Sequence, residues 1–309
     1  MASVRLDPAG PEAALADGLD RVPRGGRVFD TLRRHPLAWV GALGFAFMVA
    51  FAFAGPILYG VSPYAIHMAV TLQPPSHGFP LGTDNLGRDE LATVMYGGRT
   101  SILVGLSAAL SAMVIGVFVG LVAAWFGGWA DTVLMRLIDL LRSIPNLFLL
   151  IFLSAMFVPT ALLLVVLIAF LSWSAIARLV RAEVLSLRER TFVEASVASG
   201  ASRSRIMLRH LLPNAMGTVV VATTFLVADA ILLVAALSFL GLGLPPPAPN
   251  WGAELATAMN YLANDNWWMV YPPGLCILVT VISINFLGDA LREAFDARLQ
   301  TAGGGRGRG

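Results

Sequence analysis

Apolar residues run through this chain in blocks too long for one soluble core. Stretches at 37–58, 101–126, 132–158, 161–180, 216–240 and 273–291 are dominated by Leu, Val, Ala, Ile and Phe, and a helix needs ~20 such residues to cross the hydrocarbon layer. Six transmembrane helices are predicted, and with them an all-α polytopic membrane protein. The polar remainder divides into a tail at 1–36, an outer loop at 59–98, an inner loop at 181–215, a second outer loop at 241–272 and a tail at 293–309. The transmembrane domain occupies 37–292.

Composition agrees with that pattern: 57% of the residues are hydrophobic, 13% are charged and the mean hydropathy is +0.75, values that place the chain in lipid. Charge then sets the orientation. All but two of the 21 basic residues fall in the two tails, the turn after the second span (Arg136, Arg142) and the loop after the fourth. The exceptions, Arg88 and Arg99, share the first long loop with Asp84, Asp89 and Glu90. By the positive-inside rule both termini face the cytoplasm. Every basic residue is arginine, so the lysine of a Walker A phosphate loop is missing and Schiff-base chemistry is excluded.

The first 36 residues lack the apolar core and cleavage site of a signal peptide. Disorder is expected to about Gly26, followed by a short interfacial helix carrying Arg27, Val28, Phe29, Leu32, Arg33 and Arg34. Cys276 has no cysteine partner and reads as a packing residue. Trp251, Trp267, Trp268 and Tyr271 can anchor the second outer loop at the membrane interface or meet an external partner. Arg136, Asp139 and Arg142 sit at helical spacing and read as structural interface charges.

The loop at 181–215 is too long and too charged to be a minimal connector. Good helix formers fill 181–199, Gly200 suits a left-handed stop, Ser202 can cap a second helix over 203–212, and Pro213 limits its continuation. A helix, glycine turn, helix unit is therefore expected. Ala195, Ser196 and Ala198 leave room for another protein's surface to approach closely, and Arg188, Arg190, Arg203 and Arg205 can complement acidic groups on it.

The order Glu194-Ala195-Ser196, Gly200 and Leu212-Pro213-Asn214 resembles the EAA loop of ABC importer permeases, with Ser196 in place of the motif's last alanine and His210 at a usually aliphatic position. Further segments are similar to the second permease subunit of the dipeptide, oligopeptide and nickel importer family: Leu81 to Asp89, Tyr96 to Ser101, Leu237 to Gly243, Pro245 to Gly252, and Asn285 to Asp289 with Leu291-Arg292. This resemblance implies the type I ABC importer permease fold in a bacterial cytoplasmic (inner) membrane. It also implies a homologous permease partner, two ATPase subunits that hold ATP and Mg, and an extracytoplasmic substrate-binding protein. No cofactor is expected on this chain itself, and no nucleic acid partner.

Under that resemblance Glu194, Ala195, Ser196, Gly200, Leu212, Pro213 and Asn214 couple to the ATPase, no residue is catalytic, and no metal is bound. Asp84, Gly87, Arg88, Asp89 and Arg99 would form the outer-loop structure or gate, with Asp84, Arg88 and Asp89 in one charge-assisted network. The implied cargo is a dipeptide or oligopeptide, with nickel as the alternative, for which His67 or His77 are candidate ligands. The acidic residue the family often carries late in the fifth span is absent, with Leu233 and Val234 in its place. Asp229 lies one turn earlier. An ionisable group in a span costs on the order of 3 kcal/mol at the bilayer centre, so Asp229 is expected at a subunit interface or along a wet translocation pathway. A secondary transporter would need an ion-coupling site and commonly internal repeats. A membrane hydrolase would need a catalytic constellation that the scattered His35, His67, His77 and His210 do not form.

Overall fold

The computed structural model describes Arg33 and residues 35–303, with side chains described through Phe295. The expected interfacial helix before Pro36 lies almost wholly outside the described residues. Among the described residues all regular structure is helical apart from one isolated bridge between Thr83 and Asp89.

Helix α1 spans Pro36–Phe53 and is followed by the short α2, Gly55–Tyr59. The second span, α3, runs Glu90–Phe126. It begins well before residue 101, so the Tyr96 to Ser101 segment is helical instead of forming part of the outer loop. Gly97 and Gly98 read as breakers in sequence, but here they are points of close approach: a Cβ on Gly98 would lie 2.6 Å from the Trp251 ring and 3.1 Å from Ala52.

The third apolar block does not form one straight helix. It divides into α4, Gly128–Arg142, and α5, Asn146–Met156, bent by 80° at residues 143–145. Pro145 has no N–H to donate and disfavours a helical residue before it, and α4 is amphipathic, with Asp131, Arg136, Asp139 and Arg142 along it. Five helices are long and apolar enough to cross a membrane, six if the bent α4–α5 pair forms one broken span.

Helix α6 spans Ala161–Arg188 and extends beyond the predicted end at 180, so residues 181–188 of the predicted inner loop belong to it. Arg181 grips Asp131 of α4 through both carboxylate oxygens, one contact measuring 2.5 Å. Asp131→Asn removes the charge from this half-buried pair; a cost of about 1–3 kcal/mol is expected, read as a lower thermal midpoint that Arg181→Gln does not lower much further.

Glycines form the seams of the bundle, because lipid gives little drive for association and close backbone approach must supply it. Gly116 and Gly120 of α3 meet the Trp173 and Ala177 carbonyls of α6, where a Cβ would lie 2.7 and 2.6 Å away. Gly105 meets Ile231 of the fifth span, and Gly41 of α1 meets Ser283 and Leu287 of the last span. The largest apolar core joins the second, fourth and fifth spans through Ala108, Leu164, Ile168, Ile231 and Leu237.

After α6 come α7, Thr191–Ala198, and α8, Arg203–Ile206; a π-helical stretch, Met207–Leu211, then leads into the fifth span, α9, Leu212–Phe239. Pro213 does not stop the second helix of the inner loop as expected. The wider π turn, closed by the Leu212 N–H on the Met207 carbonyl, relieves the clash a proline ring makes with the preceding turn, and the helix continues into the membrane. Helix α10 spans Trp251–Met259, and the last span, α11, runs Trp267–Gly303. His35 Nε2 lies 2.6 Å from Glu293 Oε2, so the start of the first span and the end of the last meet on one side of the bundle.

Candidate coupling surface and outer network

At the end of the bundle that carries the basic loop, α7 is fixed by its buried side. Val193 packs with Val184, Ile206, Met207, Leu211 and Val219, and the Arg188 guanidinium donates to the Ala124 carbonyl at 3.0 Å. The opposite side faces outward: Glu194 and Ala195 are exposed and Ser196 is half-buried, its hydroxyl donating to the Phe192 carbonyl at 2.8 Å. Glu194 stands in the first turn of α7, where a negative charge suits the helix dipole.

Gly200 ends α7 with φ +76° and nothing within 4 Å of where a Cβ would stand, so conformation and not space requires glycine. The Ala201 N–H donates to the Ser196 carbonyl at 3.1 Å and the Gly200 N–H to Val197 at 2.9 Å, the bond pair that closes a helix on a left-handed residue. Ser202 then caps α8, accepting from the Arg205 N–H. Ala195, Ser196, Ser199, Gly200, Ala201, Arg205 and His210 line one concave surface. Leu212, Pro213 and Asn214 stand beyond it, in the first turn of α9. The Asn214 amide donates to the His210 carbonyl at 2.6 Å.

In the first long loop, four of the five grouped residues fall in one turn, where Asp84 pairs with Arg88 while the Asp89 carboxylate bonds elsewhere. Asp84 is 1% exposed and accepts from the Leu86 and Arg88 N–H groups at 2.8 Å and from Arg88 Nε at 2.6 Å. Gly87 has φ +72°, and a Cβ there would collide with the His67 carbonyl. Asp89 caps α3 through the Ala92 N–H at 2.9 Å and accepts from the Tyr59 hydroxyl at 2.7 Å; burial, then that bond and the Asp89 charge, raise the phenol's pKa. Arg99 is not part of this network. It sits inside α3, donates to the Phe53 carbonyl at 3.3 Å and lies over the Phe53 and Tyr96 rings.

Trp251 is free neither to anchor at the membrane interface nor to meet an external partner. It is fully buried, its indole donating to the Val94 carbonyl at 2.9 Å and its backbone N–H to Ser101 Oγ at 3.3 Å. Asn250 caps α10, and an asparagine preceding Trp-Gly-Ala-Glu was a legible helix start that sequence reasoning passed over. Asp229, within α9, is exposed between the buried Ala228 and Ala230. Among the described residues it has no ion-pair or hydrogen-bond partner.

The described residues form a bundle of five or six helical spans with a helix–turn–helix at one end. Residues 116–301 match the binding-protein-dependent transport system inner membrane component family, and residues 24–75 match the N-terminal transmembrane domain of oligopeptide transport permease C. The chain belongs to the binding-protein-dependent transport system inner membrane component family and is a multi-pass inner membrane protein. It is 38% identical over 272 residues to a putative peptide transport system permease protein of Brucella abortus, covering 88% of this chain and 91% of that one. Similarity to the di/tripeptide transport system permease protein DppC of Pseudomonas aeruginosa is 40% identity, covering 85% of this chain and 89% of that one. A putative peptide permease protein of Brucella suis is 41% identical over 246 residues, 79% of this chain and 82% of its own.

Proposed function

We propose that this chain is one of two homologous permease subunits of an ATP-driven importer of dipeptides or oligopeptides, with both termini in the cytoplasm. The observation that carries this reading is the inner helix–turn–helix, held against the bundle by Val193 and Arg188 while Glu194, Ala195 and Gly200 face outward. Such an element transmits a push from a docked ATPase to α6, joined to it through Glu189 and Arg190, and to α9, reached through the π-helical stretch. ATP and Mg reside in two separate ATPase subunits, and this chain performs no catalysis. An external binding protein delivers the peptide between the two permeases. Asp229, exposed on α9 with no ion-pair or hydrogen-bond partner among the described residues, faces the second permease or the pathway.

The test is uptake of a labelled dipeptide into proteoliposomes containing the four-subunit complex. Uptake is expected only with internal ATP and the cognate binding protein. Uptake driven by a proton or sodium gradient without ATPase would replace this reading with a secondary transporter, and nickel uptake without peptide uptake would replace the cargo. In the same assay Asp229→Asn is expected to change uptake several-fold while the complex still assembles. Wild-type kinetics would remove Asp229 from the mechanism.

A further inference from the structure

Neither the coupling surface nor the Asp84–Arg88 pair uses Arg99, which stands half-buried in the third turn of α3. Its guanidinium has five N–H donors, and the Phe53 carbonyl accepts from one of them at 3.3 Å. The Nε atom is enclosed and has no acceptor. Among the described residues no carboxylate pairs with Arg99. Asp84 is held by Arg88, Asp89 accepts from the Tyr59 hydroxyl and the Ala92 N–H, and both Glu90 oxygens lack any donor. A cation drawn out of water in this way is costly until an anion meets it.

The side chain is nevertheless fixed in place. Its Cζ lies 5.5 Å from the centre of the Phe53 ring and 5.3 Å from that of Tyr96, within the range of a cation–π contact. The Tyr64 ring stands 6.4 Å from Tyr96, and among the described residues neither of these two hydroxyls has a hydrogen-bond partner. An aromatic cradle that holds a guanidinium while leaving its donors free is preorganised for an external anion with at least two oxygens.

Depth in the membrane identifies that anion. Helix α1 has 18 residues and so a length of about 27 Å, close to the ~30 Å of hydrocarbon in a bilayer. Arg99 bonds to its last carbonyl, which places the guanidinium where acyl chains give way to headgroups, at the end of α1 away from His35. Leu103, Leu110 and Val114 follow Arg99 along one side of α3 and are 47%, 44% and 62% exposed, a row on which acyl chains can lie. Tyrosines at the head of such a row belong to the membrane interface.

We propose that Arg99, cradled by Phe53 and Tyr96 with Tyr64 beside them, binds the phosphate of a phospholipid whose tails run along α3 and so receives its counter-charge from the membrane. That the lipid belongs to the outer leaflet rests on the orientation given under the proposed function; the site itself does not.

The experiment uses the full chain alone in phosphate-free maltoside micelles, without ATPase or peptide, so its outcome is separate from that of the transport assay. Dioleoylphosphatidylglycerol is titrated in and the bound lipid is counted by native mass spectrometry. The wild type is expected to retain one phospholipid with an apparent affinity at least tenfold above that of Arg99→Gln. Dioleoylglycerol, which has the same tails and no phosphate, is expected to show no difference between the two proteins. Arg99→Lys keeps the charge without the planar fork and Tyr96→Leu removes one ring, so each is expected to fall between them. Equal retention of the phospholipid by the wild type and Arg99→Gln would overturn the site, as would the same tenfold difference with dioleoylglycerol. Displacement of the lipid by a zwitterionic dipeptide would also overturn it, giving the guanidinium to a carboxylate of the cargo. If Arg99→Gln fails to fold, wild-type retention in both Arg99→Lys and Tyr96→Leu overturns it as well.

Discussion

Truncating Trp251 to alanine is expected to lower the thermal midpoint of the purified chain by about 6–10 °C, from a loss of about 3–5 kcal/mol for a buried tryptophan at about 2 °C per kcal/mol in a chain of this size. The indole fills the space left by Gly98, touches the Ala52 cluster and satisfies the Val94 carbonyl. Trp251→Phe keeps most of the ring but strands that carbonyl, so an intermediate midpoint is expected. A scanning fluorimetry series that ranked phenylalanine with alanine would assign the whole effect to the hydrogen bond. A wild-type midpoint in Trp251→Ala would show that α10 is not a structural anchor.

The second large effect falls on coupling and leaves the bundle intact. Gly200→Val places a β-branched residue at φ +76°, a conformation costing on the order of 1–3 kcal/mol for such a side chain. It therefore displaces the turn that joins α7 to α8. Glu194→Arg reverses the charge on the exposed side of α7. Each is expected to reduce ATP-driven uptake at least tenfold, while the thermal midpoint falls by about 2–6 °C for Gly200→Val and shifts by about 1 °C or less for Glu194→Arg, whose side chain is exposed. Gly200→Asn, which tolerates a positive φ, should recover part of the activity. Full transport by Gly200→Val and Glu194→Arg would disconnect this surface from the ATPase.

The apolar blocks named the spans because lipid imposes a length that composition reveals directly, and Gly200 and Ser202 marked the inner turn because each answers a local backbone requirement. The structure departs where local cues and packing compete. Gly97 and Gly98 looked like the end of a loop, yet they are the contact points that let Asn250 and Trp251 approach α3. Pro213 looked like a stop, yet five residues of π-helix carry the chain past it. The bend at Pro145 lies between Arg142-Ser143 and Asn146, a polar interruption that the apolar residues on either side averaged out when the block was read as one span. Arg99 was grouped with Asp84 by motif order, but fourteen residues of intervening chain, nine of them helical, place it at Phe53 instead. The meeting of Trp251 with Val94 and of Arg181 with Asp131 depends on which helices cross, which periodicity does not encode.

The seam between α1 and α11 sets the order in which the molecule can be completed. Gly41 and Gly44 rest on Ser283 and Leu287, and His35 meets Glu293, so the first span made by the ribosome finds much of its seat on the last. During synthesis α1 must wait in the bilayer, its glycine face turned to lipid, until α11 has been inserted. A chain broken off before residue 283 would keep the core of α3, α6 and α9 but leave that face uncovered, giving membrane quality control a distinctive mark of an unfinished product.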